Sequence, residues 1–138
     1  MKDKMITETA DVIARLEGIV VHGQQLGRQL GFPTANLGLE GLKGQVPSTG
    51  VYAAYCQLPD GRVYRAMVNV GFRPTVDRLT HRLSIEAHLL DFSDDLYGQL
   101  LKLTIVRRIR DERKMETLEQ LKIQLAKDLA AVSDSLVI

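Results

Sequence analysis

Two segments in the second half of the chain alternate between apolar and polar residues. Residues 83–92 read LSIEAHLLDF, in which the polar positions are Ser84, Glu86 and His88. Residues 100–110 read LLKLTIVRRIR, in which the first apolar positions are Leu101, Leu103 and Ile105. Because successive side chains of a strand point to opposite faces, both segments are predicted to be strands with one apolar face.

An Asp-Gly pair between two β-rich runs is the clearest turn signal in the chain. VYAAYCQL at 51–58 and RVYRAMVNV at 62–70 flank Pro59-Asp60-Gly61, and Asp-Gly is preferred in tight hairpin turns. These residues therefore predict a β-hairpin, and GFRPT at 71–75 predicts a further turn. An earlier strand is predicted from Arg15 to His22.

The segment from His22 to Gly50 is dense in glycine. It contains seven, at positions 23, 27, 31, 38, 41, 44 and 50, together with Pro33 and Pro47. This composition predicts loops and turns on a rigid scaffold. Long loops in small domains usually carry function.

The periodicity becomes helical near the C terminus. Thr117 and Gln120 have the spacing of a capping box, and apolar residues follow at helical intervals, at Leu118, Leu121, Leu125, Leu129 and Val132. Short strands followed by one amphipathic helix favour a mainly β fold, a small antiparallel barrel with the helix packed outside. The weakly patterned residues 1–14 are predicted to form an N-terminal arm.

Composition and charge exclude several classes of protein. The chain has 138 residues, the size of one domain, with 18 basic and 17 acidic side chains. It therefore lacks the basic surface typical of proteins that bind duplex nucleic acid or anionic membranes. No apolar run is long enough to span a bilayer, and no secretory signal is recognisable. The single cysteine, Cys56, is predicted to be a buried, reduced thiol, which favours a cytoplasmic protein.

Glu86 is the most informative candidate for chemistry. Strands disfavour glutamate, and this residue shares a polar face with Ser84 and His88. One interpretation is a charge that faces solvent on a half-exposed sheet. The other is a general base held on a rigid strand, where its position is well controlled. The pattern alone leaves both open.

Thr34 and Asn36 lie in GRQLGFPTANL at 27–37. They are two residues apart in an extended segment after Pro33, so both side chains are expected to point to the same side. Neutral oxygen ligands of this kind suit Mg²⁺ whose coordination is completed by substrate phosphates. The alternative is a turn in which both side chains bond to the local backbone.

Neither standard phosphate-binding fingerprint is present in the glycine-rich segment. Gly23, Gly27 and Gly31 recur every four residues around Arg28, but no Walker A or Gly-x-Gly-x-x-Gly sequence occurs. The exposed amides of a glycine loop can still hold phosphate. The histidines lack metal-ligand spacing, and RRIRDERK at 107–114 mixes charges of both signs, as a solvated face does.

From about Leu16 to about Asp128 the chain resembles the riboflavin kinase (flavokinase) family. Phrases typical of that family stand here in its order: GIVVHG at 18–23, GRQLGFPTANL at 27–37, GVYA at 50–53, NVGFRPT at 69–75, IEAHLLDF at 85–92, DLYG at 95–98 and IRDERKMETLEQLK at 109–122. The resemblance implies a six-stranded antiparallel Greek-key barrel with a C-terminal α-helix. It makes residues 15–138 a riboflavin kinase domain, which converts ATP and riboflavin to ADP and FMN.

The resemblance also implies roles for individual residues. Glu86 would accept the proton of the ribityl 5′-hydroxyl, and Thr34 and Asn36 would hold Mg²⁺ and the ATP phosphates. The loop through Gly23, Gly27 and Arg28 would cover those phosphates, and Asn69 would border the nucleotide. The residues expected towards the flavin are Asp95, Tyr97, Gly98, Arg110 and Leu118.

Bacterial relatives carry an FMN adenylyltransferase domain before this module, and no second nucleotidyl-transfer motif is present here. The initiating Met1 favours a free-standing kinase, expected to be a monomer that binds neither nucleic acid nor membrane. A non-catalytic flavin- or nucleotide-binding regulatory module of the same fold is the alternative, although it would need no base. A barrel for single-stranded nucleic acid is disfavoured because such barrels need stacking aromatics, whereas the chain has three Phe, four Tyr and no Trp.

Overall fold

The structure is a computed structural model that describes residues 12–22, 33–75 and 77–137. Within these residues the chain forms six strands and one helix. In chain order they are β1 (Ala14–Val21), β2 (Ala35–Leu37), β3 (Gly50–Gln57), β4 (Val63–Pro74), β5 (His81–Leu89), β6 (Leu100–Arg110) and α1 (Leu118–Ser135). The predicted loop residues Gly23, Gly27 and Arg28, and residues 1–11 of the predicted arm, lie outside the described residues.

The six strands close into an antiparallel barrel. Their order around it is β1-β2-β5-β4-β3-β6, and β6 also pairs with β1. Strands β3, β4 and β5 form a meander, and β6 returns beside β3, which is the Greek-key arrangement. The predicted mainly β fold, a six-stranded Greek-key barrel with a C-terminal helix, is confirmed.

The alternating segments supply the barrel interior, as predicted. Six inward residues of β5 and β6 are at most 4% exposed, Ile85, Ala87, Leu89, Leu101, Leu103 and Ile105, and Leu83 packs against them partly buried. Cys56 is a free thiol inside this core, and burial raises its pKa to about 12. The predicted hairpin also forms, with Gly61 at positive φ in the turn between β3 and β4.

Helix α1 packs on the outer wall of the barrel, against β3, β4 and β6. Val132 and Leu136 bury against the outward residues Val51, Ala53 and Met67. The predicted cap is present, since the amide of Gln120 donates to the Thr117 hydroxyl at 3.1 Å. Leu118, the first residue of the predicted apolar stripe, is instead 58% exposed and does not dock.

The turn predicted at 71–75 is wrong, because β4 continues through Pro74. Gly71 pairs with Ser84, and Arg73 pairs with Arg82; the turn begins at Thr75, whose amide bonds to the Thr80 carbonyl. A glycine within a strand often marks the close approach of another group, and here the Glu112 carboxylate lies over Gly71. No described helix combines the length and apolarity needed to cross a membrane.

Candidate functional site

Three polar residues on neighbouring strands lie side by side on the outer face of the barrel. Glu86 of β5 pairs with Asn36 of β2 on one side and with Asn69 of β4 on the other. The residues that follow or precede them in each strand point into the core, namely Ala35, Ala87 and Val68. Directly paired side chains on one face of a sheet are within contact reach. We call Asn36, Glu86 and Asn69 the polar row.

Glu86 lies among hydrogen-bonding groups rather than in bulk solvent. The Ser84 hydroxyl donates to its Oε1 at 3.1 Å, and Nε of Arg73 lies 3.6 Å from the same oxygen. The side chain of Glu86 is 24% exposed. A carboxylate in this position is oriented, partly shielded and still accessible to a bound molecule.

Asn69 carries a polar atom that folding leaves unsatisfied. Its Oδ1 is buried and has no hydrogen-bond partner. Among the described residues it is the one buried side-chain nitrogen or oxygen of which this is true. Most buried polar atoms in proteins are paired, so an orphan invites an explanation by a ligand. Beside Glu86, the Asn69 oxygen can accept a hydrogen bond from a bound molecule.

A histidine of β5 forms a hydrogen bond with the backbone immediately before β2. Nδ1 of His88 donates to the Pro33 carbonyl at 2.5 Å. Burial lowers the pKa of His88 and the bond to Pro33 opposes this shift in part, so the net effect favours the neutral ring. This contact positions the residues that follow, Thr34 and Asn36. Thr34 also lines a cavity of about 50 Å³ at one end of the barrel, together with Asp95.

Three of the residues predicted to lie towards the flavin belong to the β5–β6 loop beside this cavity. The Tyr97 amide donates to Asp95 at 2.9 Å, and the Tyr97 ring stacks on His22 with centroids 3.8 Å apart. The Gly98 amide donates to the Val20 carbonyl at 2.9 Å. Asp95, Tyr97 and Gly98 therefore lie on the β1–β2 side of Glu86, and Asp95 is the one of the three that lines the cavity with Thr34.

The other two lie on the opposite side of Glu86. Arg110 pairs with Val51, which pairs with Asn69, so three strand spacings of about 4.8 Å separate Arg110 from Glu86. Leu118 lies at the start of α1. Between this helix and the segment 111–117, which we call the passage, is a groove of about 450 Å³. The structure thus divides the five residues into two groups.

Sequence reasoning missed two charged residues beside the polar row. Nη1 of Arg73 donates to Glu112 Oε1 at 2.5 Å, and the two side chains are 31% and 25% exposed. Arg73 belongs to the segment predicted as a turn, and Glu112 belongs to the mixed-charge run predicted as a solvated face, so neither was singled out. Gly71 inside an extended β4 is the signal that could have indicated a close approach, had the strand been recognised.

Thr34 and Asn36 themselves contribute neutral oxygens, and the carboxylates of Glu86 and Asp95 lie nearby. Among the residues that the structure describes, no three His, Cys, Asp or Glu side chains gather as a metal site. Neutral hydroxyl and amide oxygens with a nearby orphan carbonyl suit a hard cation that arrives with an anionic ligand. They do not form the closed set of a structural zinc site.

Comparison with known proteins identifies the family to which the chain belongs. The family model described as riboflavin kinase matches residues 12–136. A bifunctional riboflavin kinase/FMN adenylyltransferase from Haemophilus influenzae is 41% identical over 115 residues, which are 83% of this chain and 36% of that protein. This chain therefore spans about a third of the length of that relative.

Two solved structures share the fold. A protein from Streptococcus pneumoniae, titled a macrolide-efflux protein, superposes with a TM-score of 0.77 at 29% identity, over 99% of this chain and 47% of that chain. Riboflavin kinase from Trypanosoma brucei gives a TM-score of 0.61 at 23% identity, over 88% of this chain and 75% of that chain. Since the family model covers nearly the whole sequence, the chain belongs to the riboflavin kinase family.

Proposed function

We propose that this chain is a riboflavin kinase, which transfers the γ-phosphoryl group of ATP to the 5′-hydroxyl of riboflavin and releases FMN and ADP. The observation that carries the proposal is the polar row, in which Glu86 lies directly between Asn36 and Asn69. Family membership supplies the reaction class. The row supports the proposal because it places a carboxylate directly beside neutral side chains, which we propose bind the phosphates and the metal.

Glu86 is the proposed general base. Its carboxylate is oriented by Ser84 and Arg73 and is accessible from the outer face. It accepts the proton of the ribityl hydroxyl as the oxygen attacks the γ-phosphorus and the bond to the β-phosphate oxygen breaks. Proton removal of this kind contributes roughly 10²- to 10⁴-fold to a rate.

The nucleotide is proposed to bind on the β2 side of Glu86. Thr34 and Asn36 would hold Mg²⁺ and the phosphates, and Gly23, Gly27 and Arg28 would cover them. Bound Mg²⁺ supplies neutralisation of phosphate charge, the larger electrostatic part of phosphoryl transfer. Asn69 would accept a hydrogen bond from the nucleotide across the row.

The flavin is proposed to bind on the helix side. Arg110 ends β6 immediately before the passage and Leu118 begins α1, and the groove between the passage and α1 is lined in part by the apolar residues Met115 and Ile123. Asp95, Tyr97 and Gly98 are expected towards the flavin from the family resemblance; because Asp95 lines a cavity with Thr34, we propose that their loop also helps to enclose the nucleotide. The monomeric state, the cytoplasmic location and the absence of a nucleic-acid partner stay sequence-based predictions.

The proposal is tested by incubating the chain with riboflavin and Mg-ATP and separating the flavins by chromatography. FMN that appears only with ATP is the expected result. Flavin or nucleotide binding without conversion would instead identify a regulatory module. Binding of single-stranded nucleic acid alone would identify a nucleic-acid-binding barrel.

Substituting Glu86→Gln tests the base within the same assay. We expect turnover to fall by roughly 10²- to 10⁴-fold because the amide cannot take the proton, while Mg-ADP binding measured by calorimetry is retained. Arg62→Met, at the exposed β3–β4 turn, serves as a control that keeps full turnover. Turnover of Glu86→Gln within about threefold of wild type would show that Glu86 is not the base.

A further inference from the structure

Helix α1 contains a buried charge that its packing does not require. Asp128 is 2% exposed, although the neighbouring contacts of the helix with the barrel are apolar. Nε and Nη2 of Arg110 donate to its two carboxylate oxygens at 2.8 and 2.7 Å. Nε2 of Gln124 donates to one of them at 2.9 Å. We call the Arg110–Asp128 pair the clamp.

A buried ion pair is a poor source of stability, because the cost of removing both charges from water offsets their attraction. What a bidentate pair does provide is a single geometry, since the planar guanidinium matches a carboxylate in one orientation. In this orientation the third guanidinium nitrogen of Arg110, Nη1, points to the backbone of Asp111. It donates to the Asp111 carbonyl at 2.9 Å, so the clamp holds the backbone at the first residue of the passage.

The next residue, Glu112, is seated on the barrel wall. Its carboxylate lies against Gly71 so closely that a Cβ at that position would be 1.9 Å from Oε1. Gly71 lies in the extended, paired backbone of β4, so the glycine is required by this contact rather than by the backbone conformation. In this seat Glu112 accepts the hydrogen bond of Arg73.

Arg73 connects Glu112, which lies on Gly71, to the polar row. Its Nη1 binds Glu112, while its Nε lies 3.6 Å from Oε1 of Glu86. Arg82 of β5 pairs with Arg73 and Ser84 pairs with Gly71, and the Ser84 hydroxyl donates to the same Glu86 oxygen. The position of the Glu86 carboxylate therefore depends on where Glu112 holds the guanidinium.

We propose that the clamp, Glu112 and Arg73 are positioning residues that set the Glu86 carboxylate for proton transfer. The proposal rests on the proposed function, and it adds that α1 acts on the base through the passage. The order of contacts is Asp128, Arg110, the backbone of 111, Glu112, Arg73 and Glu86. Each link is a hydrogen bond, an ion pair or a peptide bond.

The first test removes the clamp without leaving a buried charge, in the double variant Arg110→Met with Asp128→Leu. We expect a melting temperature close to that of wild type, because apolar replacement of a buried pair is often neutral. Backbone amides of the passage are expected to exchange hydrogen faster. The kcat is expected to fall by about tenfold or more, since misplacement by about 1 Å can cost roughly 100-fold.

The Michaelis constants distinguish positioning of the base from a general loss of structure. A residue that acts on the chemical step lowers kcat and leaves KM for ATP within about twofold. A clamp variant that raises KM for riboflavin at unchanged kcat would show that the clamp shapes the flavin groove only, and would overturn the proposal. Arg62→Met, which opens an exposed ion pair with Asp60, is the matched control and keeps kcat and both KM values.

The second test displaces Glu112 from the opposite side, by Gly71→Ala. The added methyl overlaps the carboxylate, so we expect the same fall in kcat with the clamp intact. In a chain that already carries Glu112→Ala the methyl has nothing to displace, and Gly71→Ala is then expected to have no further effect. Additive effects of the two substitutions would overturn the proposed contact, even if the clamp variant failed to fold.

The proposal and the proposed function fail in different ways. If wild type makes FMN and Glu86→Gln does not, but the clamp variant and Gly71→Ala keep kcat within about twofold, the positioning role is overturned and the kinase stands. If wild type makes no FMN, the kinase proposal falls. The NMR signal of Arg73 Nε then tests the chain of contacts from the clamp to Glu86. It shifts in the clamp variant and in Gly71→Ala if these contacts exist, and in neither variant if they do not.

Discussion

At the scale of single residues, the outer wall of the barrel keeps an atom that folding does not satisfy. Oδ1 of Asn69 is buried without a partner, one position across from Glu86. Leaving a buried acceptor unpaired costs roughly 1–3 kcal/mol of stability. We interpret this oxygen as an acceptor for a ligand. Replacing Asn69 by an apolar residue should then raise the stability of the fold and lower the affinity for that ligand.

Asn69→Leu, which has a similar volume, is therefore expected to raise the free energy of unfolding by about 1 kcal/mol and to weaken Mg-ADP binding by roughly three- to tenfold. Urea unfolding and calorimetry measure the two effects. Asn36→Leu, in the same row but with no orphan atom, is the control and is expected to bring no gain in stability. Loss of stability in Asn69→Leu, or unchanged affinity, would contradict a ligand-binding role for Oδ1.

Local sequence patterns were sufficient for some site residues and not for others. Strand alternation placed Glu86 on a polar face, whereas the Thr-Ala-Asn spacing predicted only that the Thr34 and Asn36 side chains share one side. Arg73 and Glu112 are 39 residues apart, and their contact depends on how the passage leaves β6. No local pattern contains that information, so the mixed-charge run gave no reason to expect a seat on Gly71.

At the scale of elements, His88 joins β5 to the residues that lead into β2. Burial lowers the pKa of His88 from 6.5 more than the Pro33 carbonyl raises it, so the folded chain prefers the neutral ring. The contribution of this ring to stability is complete above about pH 6.5 and is lost as the pH falls through the lower pKa of the folded state. The hydrogen bond to Pro33 makes the start of β2 sensitive to the same titration.

His88→Gln is expected to flatten the fall in unfolding free energy between about pH 7 and pH 5, because the titrating group is gone. Urea unfolding at a series of pH values measures this slope. The exposed His81 of the same strand provides the control, since His81→Gln is expected to keep the wild-type slope. If His88→Gln titrates as steeply as wild type, His88 is not the group that couples folding to pH here.

Element types were easier to predict than element ends. The long alternating runs and the capping box identified β5, β6 and α1 because each repeats its period over several residues. The three-residue β2 has too few residues to show a period. The last residues of β4 were obscured by Gly71 and Pro74, which usually indicate a turn. Here the pairing with β5 and the seat of Glu112 keep those residues in the strand.

At the scale of the whole molecule, the closed barrel brings distant parts of the sequence to one wall. The polar row joins β2, β5 and β4, and strand order rather than sequence order makes them neighbours. Each of the six described strands pairs with two neighbours, so the row stands on a closed frame. The proposed nucleotide and flavin sites lie towards β2 and towards the helix, so we expect substrate binding to stabilise the fold as a unit.

Ligand-linked stabilisation tests that expectation for the nucleotide side. A nucleotide at 100 times its Kd adds about 2.7 kcal/mol to the free energy of unfolding, which for a chain of this size raises the melting temperature by roughly 10 °C. We expect this rise with Mg-ADP, and its loss when EDTA removes the metal.

Thr34→Val removes the hydroxyl oxygen while keeping the shape of the side chain, and Asn36→Leu removes the amide. Both are expected to lose most of the rise, whereas Glu86→Gln keeps it because the base does not hold the nucleotide. The rise is measured by differential scanning calorimetry at fixed protein concentration. A full rise in Thr34→Val and Asn36→Leu would place the phosphates elsewhere on the barrel, since a ligand stabilises the fold only through the groups that it contacts.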